Sequence, residues 1–146
     1  MAFSGNFMCT SFKVALLNGE MDFSSDTSQT FKIALYTSSA TLNASTTAYS
    51  TTNEISGTGY TAGGNTLTIS TNPTNATSGT VAFLSFSDST WASSTLTARG
   101  ALIYKSGGTN PSIAVLDFGA DKSSSSSTFK VEFPTASDTT AILRIG

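Results

Sequence analysis

LTARGALIYKSGGTNPSIAVLDF, residues 96–118, decides the fold. Leu96 to Tyr104 is a long apolar run with Gly100 inside it, where a bulge fits a strand better than a helix. Gly107-Gly108-Thr109-Asn110-Pro111 is a run of turn formers. Ile113 to Phe118 then resumes the apolar run. Two β-rich segments separated by a Gly/Asn/Pro turn predict two successive strands.

Outward from this pair the same habit recurs. Phe31, Ile33 and Leu35 alternate with Lys32, Ala34 and Tyr36. Leu67 and Ile69 alternate with hydroxyls over residues 65–70, and Val81, Phe83 and either Leu84 or Phe86 follow. Phe129, Val131 and Phe133 alternate with Lys130 and Glu132 up to Pro134, and Ala141–Ile145 gives a last apolar run. Ser123–Ser127, five consecutive serines, reads as an exposed turn between strands. One segment has a helical signal: Ser11 can cap a start, and Gly19 can take the left-handed conformation that ends about two turns. The pattern predicts an all-β chain, an antiparallel, jelly-roll-like β-sandwich of about 7–8 strands with one short N-terminal helix. Residues 1–10 lack a period and are expected to form an N-terminal arm, leaving 11–146 as a single domain.

Composition narrows the function. Roughly a third of the residues are Ser or Thr, far above ordinary usage. Charged residues are only 11%, yet 38% of the 146 residues are hydrophobic and 10% aromatic, which is too much apolar bulk for a disordered chain. Seven Lys and Arg against nine Asp and Glu leave no basic stripe for a phosphate backbone, so nucleic acid is not an expected partner. No apolar run approaches the ~18 residues of a membrane span, and the N-terminus lacks a positive region followed by an apolar one, so the chain reads as made in the cytoplasm and not anchored in a membrane. Hydroxyl-rich strands are wet without carrying charge, and a neutral coat tolerates close neighbours where a charged one repels them.

Chemistry-bearing residues are scarce. The chain has no histidine, which removes Ser-His-Asp and Cys-His catalysis and the commonest metal ligand. Cys9 stands alone, with no partner for a disulfide and no base to activate it. Asp117 and Asp121 flank Gly119 and offer two carboxylates where calcium takes six or more oxygens, so a capped turn is the simpler reading. GTGYTAGG (57–64) does not fit a strand–helix phosphate loop. Asn43-Ala44-Ser45 and Asn75-Ala76-Thr77 are formal sequons of the kind a hydroxyl-rich chain produces by accident. The chain is not expected to be an enzyme or to need a cofactor. Candidate contact residues are aromatic: Phe3, Phe7 and Met8 on the arm, Tyr49 and Tyr60 in the irregular stretch 42–64, and Trp91, the only tryptophan.

Several stretches resemble a known family when taken in order. SFKVALLNGEMDF, TFKIALYTSSATLNASTTAYSTTNEISGTGYTAGG, TWASSTLTARGALIY and AVLDFGADKSSSSSTFKVEFPTASDTTAILRI are similar to small β-rich virion structural proteins of tailed bacteriophages, from about Ser11 to Ile145. Phe31–Tyr36, Gly59-Tyr60 with Gly63-Gly64, and Thr97–Ala101 are the most specific pieces. The resemblance implies a capsid decoration or cement protein, located on the virion, with the major capsid protein as partner. The three-fold sites of a capsid invite a homotrimer. A tail-associated accessory or fibre module that contacts the host surface is the alternative, with Tyr49, Tyr60 and Trp91 as an exposed platform for sugar. The resemblance supplies no catalytic residues.

Overall fold

The computed structural model describes residues 3–146. Its elements in chain order are β1 (Phe7–Met8), α1 (Thr10–Leu17), β2 (Thr30–Tyr36), β3 (Asn65–Thr66), β4 (Ile69–Asn75), β5 (Ala82–Phe86), β6 (Ser89–Ser106), β7 (Ser112–Val131) and β8 (Leu143–Ile145). They form two antiparallel sheets, a β-sandwich with strand orders β1-β7-β6-β2-β3 and β4-β5-β8. No helix among the described residues is long and apolar enough to cross a membrane.

The hairpin of residues 96–118 is the spine of the larger sheet. Leu102 pairs with Val115 and Ile103 with Ala114, and all four are buried. In the turn, Asn110 takes a left-handed φ of 51° and its side-chain oxygen accepts the Gly107 amide at 2.8 Å. The predicted irregularity falls at Gly100, where the pairing shifts register between Ala98 and Gly100. A Cβ on Gly100 would lie 2.4 Å from the Leu116 carbonyl oxygen and 2.4 Å from the Phe3 ring, so no side chain fits.

The strands run further than the periodicity suggests. The five serines are not a turn: they lie within β7, paired with β6 through Ser94↔Ser127, Leu96↔Ser124 and Thr97↔Ser123. Serine reads as turn because its hydroxyl competes for backbone groups. Here the hydroxyls instead bond across the ladder, Ser94 Oγ to Ser124 Oγ at 2.8 Å in the buried layer and Thr97 Oγ1 to Ser123 Oγ at 2.8 Å on the exposed face. The single strand expected over 65–70 is two: β3 edges the larger sheet, β4 opens the smaller one, and buried Leu67 lies where the chain changes layer.

Helix α1 ends as expected and starts differently. Gly19 has φ 73°, its amide reaches the Leu16 carbonyl at 3.2 Å, and the Glu20 amide reaches Ala15 at 2.9 Å, the paired bonds of a Schellman stop. Cys9, not Ser11, stands at the N-cap, with no side-chain cap. The Ser11 hydroxyl turns to Ser112 and the Thr46 carbonyl instead. Phe12 and Ala15 point inward, where Phe12 meets Phe23 edge-on at 5.9 Å and Phe23 stacks on Phe31 at 4.5 Å. Aromatic pairs of this geometry add to the area they bury.

The boundary expected at residue 10 is absent from the described part of the arm, residues 3–10. Phe3 is buried under the sheet at Gly100, and Phe7 and Met8 form β1, paired with Val115 and Ala114. The Cys9 amide continues the ladder to Ile113 at 2.9 Å. Edge backbone groups of β7 left without water need partners, and residues 7–9 supply them. The arm's first two residues lie outside the described residues.

Candidate functional site

Residues 42–64 contain no long element, yet they are clamped to the sandwich. Glu54 is the centre of the clamp. Its carboxylate accepts the Tyr49 hydroxyl, the Tyr60 hydroxyl and the Gly63 amide, each at 2.7 Å. Tyr36 at the end of β2 donates to the Ser50 carbonyl at 2.6 Å, and Tyr104 on β6 donates to the Gly63 carbonyl at 2.8 Å. Tyr49 and Tyr104 stack at 4.6 Å. All four tyrosines of the chain therefore meet around one loop. The backbone adds further ties, among them Ile55 to Leu35, Thr37 to Asn53, and Thr95 to Thr58, each 3.0 Å.

Two glycines let the loop lie this close. A Cβ on Gly64, at φ 71°, would fall on the Ile33 carbonyl oxygen, and one on Gly59, at φ 85°, would fall on Ser94. The sequence marks both positions as turn glycines, but only the fold shows that they are contact points.

The electrostatics are those of a fastener. Burial pushes the phenols of Tyr36, Tyr49, Tyr60 and Tyr104 above their ordinary value, and the Glu54 charge pushes them the same way. The phenols stay protonated and donating near neutral pH, as a clamp requires. None is available as a base there.

Of the six predicted contact residues, Tyr49, Tyr60 and Trp91 are brought together, the two tyrosines half-buried and the tryptophan beneath the surface. Trp91 is 4% exposed, tilted against Tyr60 at 6.0 Å and edge-on to Phe129 at 6.1 Å. A sugar platform needs an open ring face, and Trp91 offers none. The reason is a phase change: Trp91 faces the core at an odd position, while Leu96 and Ala98 face it at even ones, because the ladder bulges between Trp91 and Ser94. No spacing rule reveals that slip. The Trp91 indole nitrogen is also the one buried side-chain polar atom without a hydrogen-bond partner among the described residues. Phe3 is buried, and Phe7 and Met8 are half-buried in β1, so these three form part of the sandwich wall.

The residues with open apolar surface are others. Leu17 is 90% exposed, Val14 54% and Ile145 52%. The Leu16-Leu17 doublet was the available signal, since adjacent helical residues cannot share one narrow face.

The remaining chemical groups are used internally. Asp117 accepts the Gly119 amide at 2.8 Å and faces Arg99 at 3.4 Å, but within β7, at the register shift between Asp117 and Lys122, and not in the capped turn beside Lys122 that the sequence suggests. Among the described residues no three Cys, Asp or Glu side chains gather where they could hold a metal ion. Burial pushes the Cys9 thiol up, although Ser112 offers it a hydrogen bond. Exposed hydroxyls cover the outer strands instead, including Thr95, Thr97, Ser123 and Ser125 to Thr128.

Compared with known proteins, the chain matches no family model, no curated protein and no solved structure.

Proposed function

We propose that this chain is a virion structural protein of a tailed bacteriophage, a decoration or cement protein that binds the major capsid protein and holds the head lattice together. The observation that carries the reading is the outer surface: a clamped sandwich whose exposed strands present hydroxyls in place of charges. Such a face lies against neighbouring protein without the cost of stripping water from many ions. The ordered resemblance of residues 11–145 supports the same reading. Repetition would supply the strength, since many modest contacts on a fixed lattice hold far more firmly than one. A cyclic trimer over three-fold capsid positions belongs to this proposal.

Purified protein mixed with heads that lack it tests the reading. Uniform density over the shell, at hundreds of copies per particle, is the expected result by lattice symmetry. Density confined to the tail would replace the reading with the tail-accessory one, and failure to bind any particle would end both.

A further inference from the structure

Helix α1 carries an unpartnered outer face. Phe12 and Ala15 are buried, while Lys13, Val14 and Leu17 turn to solvent, with Leu17 at the centre of that face. An isolated exposed leucine needs no explanation, but a two-turn helix showing Val14 and Leu17 side by side is unusual. The ends of the face are charged. Lys13 precedes Leu17 by four residues and Glu20 follows it by three, both exposed. The Asn18 amide holds the Glu20 carboxylate beside the helix end at 3.2 Å. Among the described residues neither Lys13 nor Glu20 belongs to an ion pair within the chain.

We propose that this face binds the same face of a second copy about a two-fold axis through Leu17. The two helices then point in opposite directions with their C-terminal ends adjacent, because Leu17 is the last residue of α1, and the charge pairs must offset that approach of like dipole ends. Leu17 meets Leu17, with Val14 flanking, and Lys13 of each copy reaches Glu20 of the other. Positive before the apolar centre and negative after it is self-complementary under a two-fold rotation and under no parallel arrangement. A contact built on so few side chains falls short of the ~800 Å² per partner of a stand-alone complex. It therefore forms at high protein concentration or where copies are already held side by side. The inference is independent of the capsid reading.

Sedimentation of the full chain at up to about 1 mM tests it, the range in which weak contacts populate. Wild type is expected to approach twice the mass of Leu17→Glu. Lys13→Glu and Glu20→Lys each shift the series toward the lighter species, and the double charge swap restores the heavier one. In a second arm, Leu17→Cys is oxidised with diamide. A symmetric disulfide is expected to form at least tenfold faster than in Thr52→Cys, an exposed control, because thiols across the axis start close together and buried Cys9 does not compete. Equal masses for wild type and Leu17→Glu, or equal crosslinking rates for the two cysteine variants, overturns the proposal. If Leu17→Glu leaves the mass unchanged but lowers binding to heads, the face belongs to the shell protein and the two-fold contact is refuted.

Discussion

The Tyr60 hydroxyl donates to Glu54 at 2.7 Å and accepts the Leu35 amide at 2.9 Å, joining the loop of residues 42–64 to the backbone of β2 through one oxygen. Removing Glu54 strands three donors at once. Glu54→Ala is expected to cost about 2–4 kcal/mol, because half-buried donors lose a charged acceptor and recover only part of it from water. Glu54→Gln, which keeps an acceptor, should cost visibly less. Urea denaturation of both variants decides it, and equal losses would reduce Glu54 to filler.

The four raised tyrosines give a pH signature. A phenol whose folded pKa lies above its unfolded value of 10.0 binds its proton more tightly in the native state. Its contribution is whole below pH 10 and drains away as pH rises beyond it, since the unfolded chain then binds fewer protons. Stability should stay level from pH 7 to 9 as far as these groups are concerned, then decline. Phenolate absorbance should appear together with unfolding. Gradual ionisation of all four in a folded protein at pH 10 would contradict the clamp.

Glycines of similar backbone angle should respond very differently to alanine. Gly64→Ala forces a methyl group into the Ile33 carbonyl, whereas Gly108→Ala, at φ 60°, meets nothing within 4 Å. Gly108→Ala is expected to cost about 1 kcal/mol, the penalty of the left-handed conformation alone. Gly64→Ala should lose several times that or fail to fold. Thermal melts of the pair give the comparison.

Trp91 makes burial directly readable. As the only tryptophan, shut in by Tyr60 and Phe129, it should emit at short wavelength and resist iodide quenching until the protein unfolds. Quenching as efficient as that of free indole would put the ring on the surface and reinstate an aromatic sugar platform.

How much could be read in advance follows the physics of each part. The two strands and the turn of residues 96–118 were legible because the apolar residues, the inserted glycine and the turn residues agree, whereas their pairing needed the fold. Phe31–Tyr36 was legible as a strand by alternation, but the half-buried strand that alternation implies is buried on both faces, Ala34 and Tyr36 as fully as Ile33 and Leu35. The serines of β7 were not legible, because a hydroxyl that bonds across a ladder is the same residue that makes a turn. The fate of Trp91 was hidden by a bulge that exchanges odd for even positions. Phe3–Met8 looked free because strand pairing with residues 114–115 leaves no local period. At the site, the anchors Tyr49 and Tyr60 were visible as residue types. Glu54 was overlooked, since nothing about one acidic residue in a polar loop announces that three donors converge on it.

The pairing of Phe7 with Val115 also dictates when the molecule can be completed. An emerging chain holds Phe7 and Met8 without a partner until Ala114 and Val115 have left the ribosome. Closure across so long a span is slow, in the millisecond-to-second regime of β architectures. The β7 edge of the larger sheet is therefore sealed late, by a pairing that spans more than a hundred residues of chain.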